Sequence, residues 1–328
     1  MRAIQITELT GPRSALQLVE VPEPEASHPM TPGSGVVVDV RAAGVSFPEV
    51  LQTRGEYQYK PPLPFIPGSE VAGVVREAPE DAGVEPGDRV AAFCGEGGFA
   101  EVAVAPTYFT FKLAEALDFA QGAALVLNYH TAYFSLVTRG RLKEGETVLV
   151  HGAAGGVGTA VLQVAKGLGA TTIGVVSSDG KERVAANAGA DHVLRSNGAW
   201  KDQAKELSDG GVDMVIDPVG GDRFTDSLRS LREGGRVVVV GFTAGSIPEV
   251  RVNRLLLNNT EVIGAGWGAG VLTHPERTAA IAGALDELIA TGTVAPLVGA
   301  RFALERAADA LLLLDSRGAT GKVVLEVA

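Results

Sequence analysis

The eight residues His151-Gly152-Ala153-Ala154-Gly155-Gly156-Val157-Gly158 hold four glycines and two alanines directly after the apolar run Thr147-Val-Leu-Val-His151. Small side chains at the end of a strand let the backbone close on a phosphate, and a helix opening at the last glycine sets its positive end against that charge. The chemistry on offer is the binding of a dinucleotide pyrophosphate. The pattern is A-x-G-x-x-G, with Ala153 in the place of the first glycine of the usual fingerprint. Dinucleotide folds that bind NAD place an Asp or Glu at the end of the second strand, where it holds the ribose 2′-hydroxyl. Counting through Thr172-Ile-Gly-Val-Val176-Ser177-Ser178, that place falls on Val176 or Ser177, and Asp179 lies in the following turn. Without a carboxylate there, Ser177, Ser178 and Lys181 offer hydroxyls and a cation to a 2′-phosphate, which favours NADPH over NADH. A second run, Gly264-Ala-Gly266-Trp-Gly-Ala269, has a related form after a later strand. No helix start signal lies inside it, so it reads as a flexible segment near the nicotinamide end.

Other reactive side chains are sparse. Cys94 is the only cysteine, so the chain makes neither an intramolecular disulfide nor a cysteine-rich zinc site. With no basic neighbour in sequence it reads as an inert buried thiol. The histidines at 28, 130, 151, 192 and 274 share no ligand spacing, and no metal is expected.

These residues need elements to carry them. From about residue 119, strands expected over 147–151, 172–176, 212–217, 236–241 and 261–265 alternate with helices over 158–168, 181–188 and 221–231. Near-continuous apolar runs such as Val237-Val-Val-Val240 belong to a parallel sheet covered on both faces, and the alternation makes it doubly wound. Thr273-x-x-Glu276 is a capping-box pattern with Pro275 in the first turn. It opens a helix whose Ile281, Leu285, Leu288 and Ile289 share a face before Gly292 stops it. Ahead of this region, short β-rich runs over 36–40, 70–75 and 100–104 are broken by Pro and Gly, and Lys60-Pro-Pro-Leu-Pro-Phe-Ile-Pro-Gly68 reads as a rigid extended loop. The last segment, a helix over 304–314 and a strand over 322–327, continues neither pattern and is expected to return to the first domain. The expected domains are 1–122, 123–295 and 296–328.

The 328 residues suit two domains at roughly 150 residues each. A formal charge of −11, from 28 basic and 39 acidic residues, disfavours nucleic acid and anionic membranes. No run approaches the ~18 apolar residues of a membrane span, and the opening Met-Arg-Ala-Ile-Gln lacks a signal-peptide core, so a cytoplasmic protein is expected. Glycine takes 42 positions, close to twice its usual share of about 7%, without any repeat.

An ordered set of motifs runs from end to end: Ala42-Ala-Gly-Val-Ser46-Phe-Pro-Glu49, Arg54-Gly-x-Tyr57, Pro64-Phe-x-Pro-Gly-Ser-Glu70-Val-Ala-Gly73, Gly87-Asp-Arg-Val90, Gly97-Gly-Phe-Ala-Glu101 and Thr131-Ala-Tyr133. The glycine turn, Gly189-Ala-Asp191, Asp217-Pro-Val-Gly-Gly221 and Gly234-Gly-Arg236 through Gly241-Phe242 complete it. With these motifs the chain resembles the medium-chain dehydrogenase/reductase superfamily, and within it the zinc-independent NADPH:quinone oxidoreductases of the zeta-crystallin-like branch. The resemblance implies an α/β fold in which a mostly-β GroES-like domain is interrupted by a Rossmann domain. Zinc alcohol dehydrogenases of the superfamily carry Cys where Ser46 stands and His where Ser69 stands, and both ligands are missing.

Carried over, the cofactor contacts fall on Thr131, Gly155, Gly156, Val157, Gly158, Ser177, Ser178, Lys181, Phe242 and Arg317. Ser46 stands where many quinone reductases have Asn. Ser46 and Tyr57 are candidates to meet charge on the acceptor oxygen, and Tyr129 is a further pocket candidate that also suits a core position. Trp267 suits either a cap on the substrate pocket or a dimer edge. The implied activity is hydride transfer from NADPH to a quinone or similar conjugated carbonyl, in a homodimer. A 2-enoyl-CoA reductase on the same scaffold is the alternative, and a non-catalytic NADPH-binding structural or RNA-binding protein is the reading from another class.

Overall fold

The computed structural model describes residues 1–327. They form two compact units, residues 1–127 with 296–327, and Asn128–Ala295.

In the first unit, β1 (Arg2–Ile6) and β2 (Leu16–Glu20) make an antiparallel ribbon. A larger sheet is built from β3 (Val36–Val45), β4 (Glu70–Glu77), β5 (Arg89–Phe93), β6 (Val102–Ala105) and β7 (Thr110–Lys112). It is joined from the far end of the chain by β14 (Val298–Ala303) and β15 (Lys322–Glu326). The order is β14-β15-β3-β4-β5-β7, with β6 beside the first half of β3. Three helices accompany the sheet: α1 (Phe47–Gln52), α2 (Phe119–Gly122) and α11 (Ala307–Asp315). The core gathers Ile4, Val40, Val45, Val71, Phe99, Leu304, Leu311, Val323 and Leu325. Register then places polar residues side by side: Gly44 pairs with Glu70, and Val45 with Val323, so Ser46, Glu70 and Lys322 meet at one end of three strands. Gly44 has no room for a side chain, since a Cβ would lie 2.2 Å from the Ala123 carbonyl and 2.6 Å from Glu70 Cγ.

The chain enters the second unit through α3 (Val126–Tyr133), which continues as a π-helical turn over Phe134–Arg139. The parallel sheet follows: β8 (Thr147–His151), β9 (Thr171–Val176), β10 (His192–Arg195), β11 (Val212–Asp217), β12 (Leu231–Val239) and β13 (Glu261–Gly264). Its order, β10-β9-β8-β11-β12-β13, reverses direction between β8 and β11, which makes that crevice the ligand-binding switch point of a doubly wound sheet. The helices are α4 (Gly156–Gly167), α5 (Asp179–Asn187), α6 (Trp200–Leu207), α7 (Phe224–Ser230), α8 (Asn253–Asn258), α9 (Trp267–Thr273) and α10 (Arg277–Ala290). Two sequence motifs prove to be joints. Asp191 accepts from the Thr172 amide and hydroxyl, both at 2.9 Å, and buried Arg236 donates to Gly140 O and Glu146.

Several expectations are corrected. The 264–269 run is not an irregular flexible segment: α9 starts inside it at Trp267, which is buried and packs edge-on against His130. Thr273 does not open α10, because its hydroxyl donates back to Ala269 O at 2.7 Å in the preceding helix, and α10 begins after Glu276. β10, α6 and β14 lie outside the elements that the sequence pattern indicates. β10 is four residues long with an exposed His192, and β14 alternates half-buried with exposed residues as an edge strand does. Among the described residues no helix is long and apolar enough to cross a membrane.

Candidate active site

Each unit holds one set of the candidate side chains. In the second, β8 ends at His151 and the chain turns through Gly152 at φ +59°, a conformation that favours glycine. Gly155 is the N-cap of α4, and the first helical N–H groups that follow have no intrahelical acceptor. Gly158 lies against the turn so closely that a Cβ would sit 2.2 Å from Gly152 O. The turn after β11 packs on the same place, since a Cβ at Gly152 would meet Val219 at 3.2 Å. That second turn is braced by Asp217, whose Oδ1 accepts from the Val219 and Gly220 amides at 2.9 Å each. The result is a cradle of backbone N–H groups and a helix N-terminus at the switch point, which fits the pyrophosphate of a dinucleotide.

At the end of β9, Ser177 and Ser178 are exposed and Ser178 caps α5 by accepting from the Lys181 amide. A cation missed in the sequence stands beside them. Arg195 ends β10 in register with Val176, and Asp179 and Glu182 hold its guanidinium. Its signal was the His192-Val-Leu-Arg195 run after Gly189-Ala-Asp191, legible only once β10 is recognised. Thr131 is buried in α3, and Phe242 is 38% exposed after β12. Tyr129 is 1% exposed and its hydroxyl donates to Gln163 at 2.7 Å, so its proton is committed inside the unit and it serves packing. His151 is buried, bonded to Ser227 at 2.8 Å and driven by desolvation to a pKa of about 4.

In the first unit Ser46 is the N-cap of α1, where β3 ends. Its amide donates to Glu49 Oε2 at 2.9 Å, and Glu49 Oε1 accepts from the Ser69 amide at 3.1 Å and hydroxyl at 2.7 Å. Burial pushes the Glu49 carboxyl up, with Ser69 and then Lys322 pulling the other way. Glu70 is fully buried; Oε2 accepts from the Leu127 amide at 2.9 Å, and Oε1 accepts from Lys322. Lys322 is 3% exposed and its ammonium also donates to Ser46 Oγ at 2.6 Å. Tyr57 is half-buried, and burial followed by the nearby Glu49 charge pushes its phenol up. Cys94 is buried, donates to Gly68 O and is pushed up by desolvation, as an inert thiol should be. Arg317 is exposed on the turn after α11.

Residues 32–115 match the alcohol dehydrogenase GroES-like domain family, and residues 156–286 the zinc-binding dehydrogenase family. A mouse protein named quinone oxidoreductase-like protein 2 is 39% identical, over 99% of this chain and 92% of its own. The chain belongs to the quinone oxidoreductase family. Among solved structures, a probable oxidoreductase from Mycobacterium abscessus superposes with a TM-score of 0.88 at 43% identity, covering 99% of this chain and 98% of its own. The Escherichia coli quinone oxidoreductase complexed with NADPH gives 0.87 at 30% identity, covering 99% and 100%. The two positions where zinc dehydrogenases carry ligands can be judged by their donor chemistry. Ser46 and Ser69 are neutral hydroxyls, and among the described residues no three His, Cys, Asp or Glu side chains converge as a metal site. The Lys322 ammonium already fills the space between Ser46 and Glu70. These residues do not fit zinc.

Proposed function

We propose that this chain is a zinc-free oxidoreductase that carries a hydride from NADPH to a quinone or similar conjugated carbonyl. The observation that carries the reading is the glycine cradle at the β8/β11 switch point together with a β9 end where Ser177 and Ser178 are exposed and Arg195 stands in register with Val176. The second unit holds the nucleotide: Gly155, Gly156, Val157 and Gly158 take the pyrophosphate, while Ser177, Ser178, Lys181 and Arg195 surround the 2′-phosphate. Thr131 and Phe242 are the remaining proposed contacts of that unit. Bound NADPH supplies a hydride from its C4, and with one proton from solvent the quinone becomes a hydroquinone, leaving NADP⁺. The first unit serves the acceptor, with the Ser46 and Tyr57 hydroxyls donating to the oxygen on which negative charge grows.

Steady-state NADPH oxidation with ortho- and para-quinones and 2-enoyl-CoA esters tests this reading. Turnover of quinones supports it, and a rate confined to the thioesters overturns it. Lys181→Ala and Arg195→Ala each raise KM for NADPH about 10-fold, the worth of one charge-assisted hydrogen bond, and leave KM for NADH nearly unchanged. Equal effects on both cofactors contradict the 2′-phosphate assignment.

We further propose a cytoplasmic homodimer joined through β13. That strand is the sheet's edge, and Val252, Leu256 and Leu257 in the segment that precedes it are 74%, 76% and 74% exposed, apolar surface that suits burial against a second copy. Light scattering should give twice the chain mass, and Leu256→Glu/Leu257→Glu should give the monomer; a monomeric wild type contradicts it.

A further inference from the structure

We propose that Lys322 is a positioning residue for hydride transfer: its buried ammonium occupies a lone pair of Ser46 Oγ and so presets the Ser46 hydroxyl as a hydrogen-bond donor to the acceptor oxygen. The inference rests on the proposed function for the identity of that acceptor. An ammonium has three donors and no acceptor, so in the 2.6 Å contact Ser46 Oγ must accept. The Ser46 proton is then available to another partner. The neighbouring carboxylate oxygens are already engaged. Glu49 Oε2 takes the Ser46 amide, Glu49 Oε1 takes two donors from Ser69, Glu70 Oε1 takes Lys322 and Glu70 Oε2 takes the Leu127 amide. No hydrogen bond from the Ser46 hydroxyl to another group occurs among the described residues.

Polarisation strengthens that donor. A hydroxyl that accepts from a cation gives up electron density and becomes a better donor, and in a buried site bonds in series reinforce one another. A buried ammonium–carboxylate pair adds little net stability over an apolar pair of the same volume, so stability alone does not account for it. Gly44 and the β3/β4/β15 register fix Glu70 and Lys322 at the starts of β4 and β15 and Ser46 at the junction of β3 with α1, as a preorganised donor requires. The interaction grows as hydride arrives and charge builds on the acceptor oxygen, and so it acts on kcat rather than KM.

The test compares wild type, Ser46→Ala, the neutral pair Lys322→Met/Glu70→Gln, and the triple variant. The neutral pair removes both charges of the Lys322–Glu70 bridge, so Glu70 is not left as a buried anion without its partner, and the melting temperature of each variant checks folding. With 1,4-benzoquinone, Ser46→Ala should lower kcat about 100-fold, as the loss of one oxyanion donor does. The neutral pair should lower it about 10-fold, the difference between a charge-assisted and an ordinary donor. KM for quinone and the NADPH Kd from fluorescence should hold. The triple variant should be no slower than Ser46→Ala, because Lys322 acts only through Ser46. A neutral pair with wild-type kcat, or losses that multiply in the triple variant, overturns the proposal. A readout without turnover is the pKa of bound para-nitrophenol. It should be lower on the wild type than on either Ser46→Ala or the neutral pair, and one value on all three overturns the proposal. A wild type that binds NADPH but reduces no quinone refutes the proposed function instead, and the nitrophenol titration still judges Lys322 by itself.

Discussion

Gly158→Ala weakens NADPH binding by about 10- to 100-fold, the equivalent of the ~1–3 kcal/mol that overpacking a tight contact costs. The added Cβ would sit 2.2 Å from Gly152 O and 2.7 Å from Ala153 Cα, both backbone atoms that no rotamer change can move. Relief requires α4 to lift from the turn, and the N–H groups aimed at the pyrophosphate move with it. Gly283→Ala is the control, because it lies inside α10 with nothing within 4 Å of its Cβ. It should leave affinity unchanged and add up to about 1 kcal/mol of stability through helix propensity. Fluorescence titration of the two variants checks the pair, and equal affinities contradict the cradle.

Lys322→Met alone should destabilise the protein by about 3–5 kcal/mol, because it leaves the Glu70 carboxylate buried with no counter-charge. For a unit of this size that loss lowers the melting temperature on the order of 10 °C. Pairing it with Glu70→Gln should recover most of the loss, since the leftover charge rather than the missing bond dominates the cost. Calorimetry on both variants measures it, and a single substitution as stable as the pair would show that Glu70 is not held as a buried anion.

The nucleotide half of the site was legible because its determinants are local in sequence. The glycine turn, β8 and β11 need only a window of about ten residues, and strand, turn and helix follow one another along the chain. Thus β8 falls on Thr147–His151 and β11 on Val212–Asp217, as their apolar runs indicate. The acceptor half was only half legible. Ser46, Glu49, Ser69 and Glu70 stood out in motifs. Lys322 lies 276 positions from Ser46 and enters the site through strand order, which no local pattern encodes. A single lysine that opens an apolar strand carries no local signal of burial, and it is the antiparallel pairing of β15 with β3 that buries it. Arg195 was hidden for a different reason: β10 is short and partly exposed and carries too weak a period to reveal the strand that ends in it. Tyr129 shows the converse. An aromatic beside a cofactor motif invites a catalytic role, and only the hydrogen bond to Gln163 reveals that its hydroxyl is committed.

The most direct test of the central claim is an anaerobic assay of the chelator-treated protein with NADPH and 1,4-benzoquinone, following both reactants. The account predicts that one NADPH is consumed for each quinone reduced, at a rate unchanged by the chelator. Quinone reduction that disappears on chelation and returns only with added zinc, or no quinone reduction at all, would contradict it.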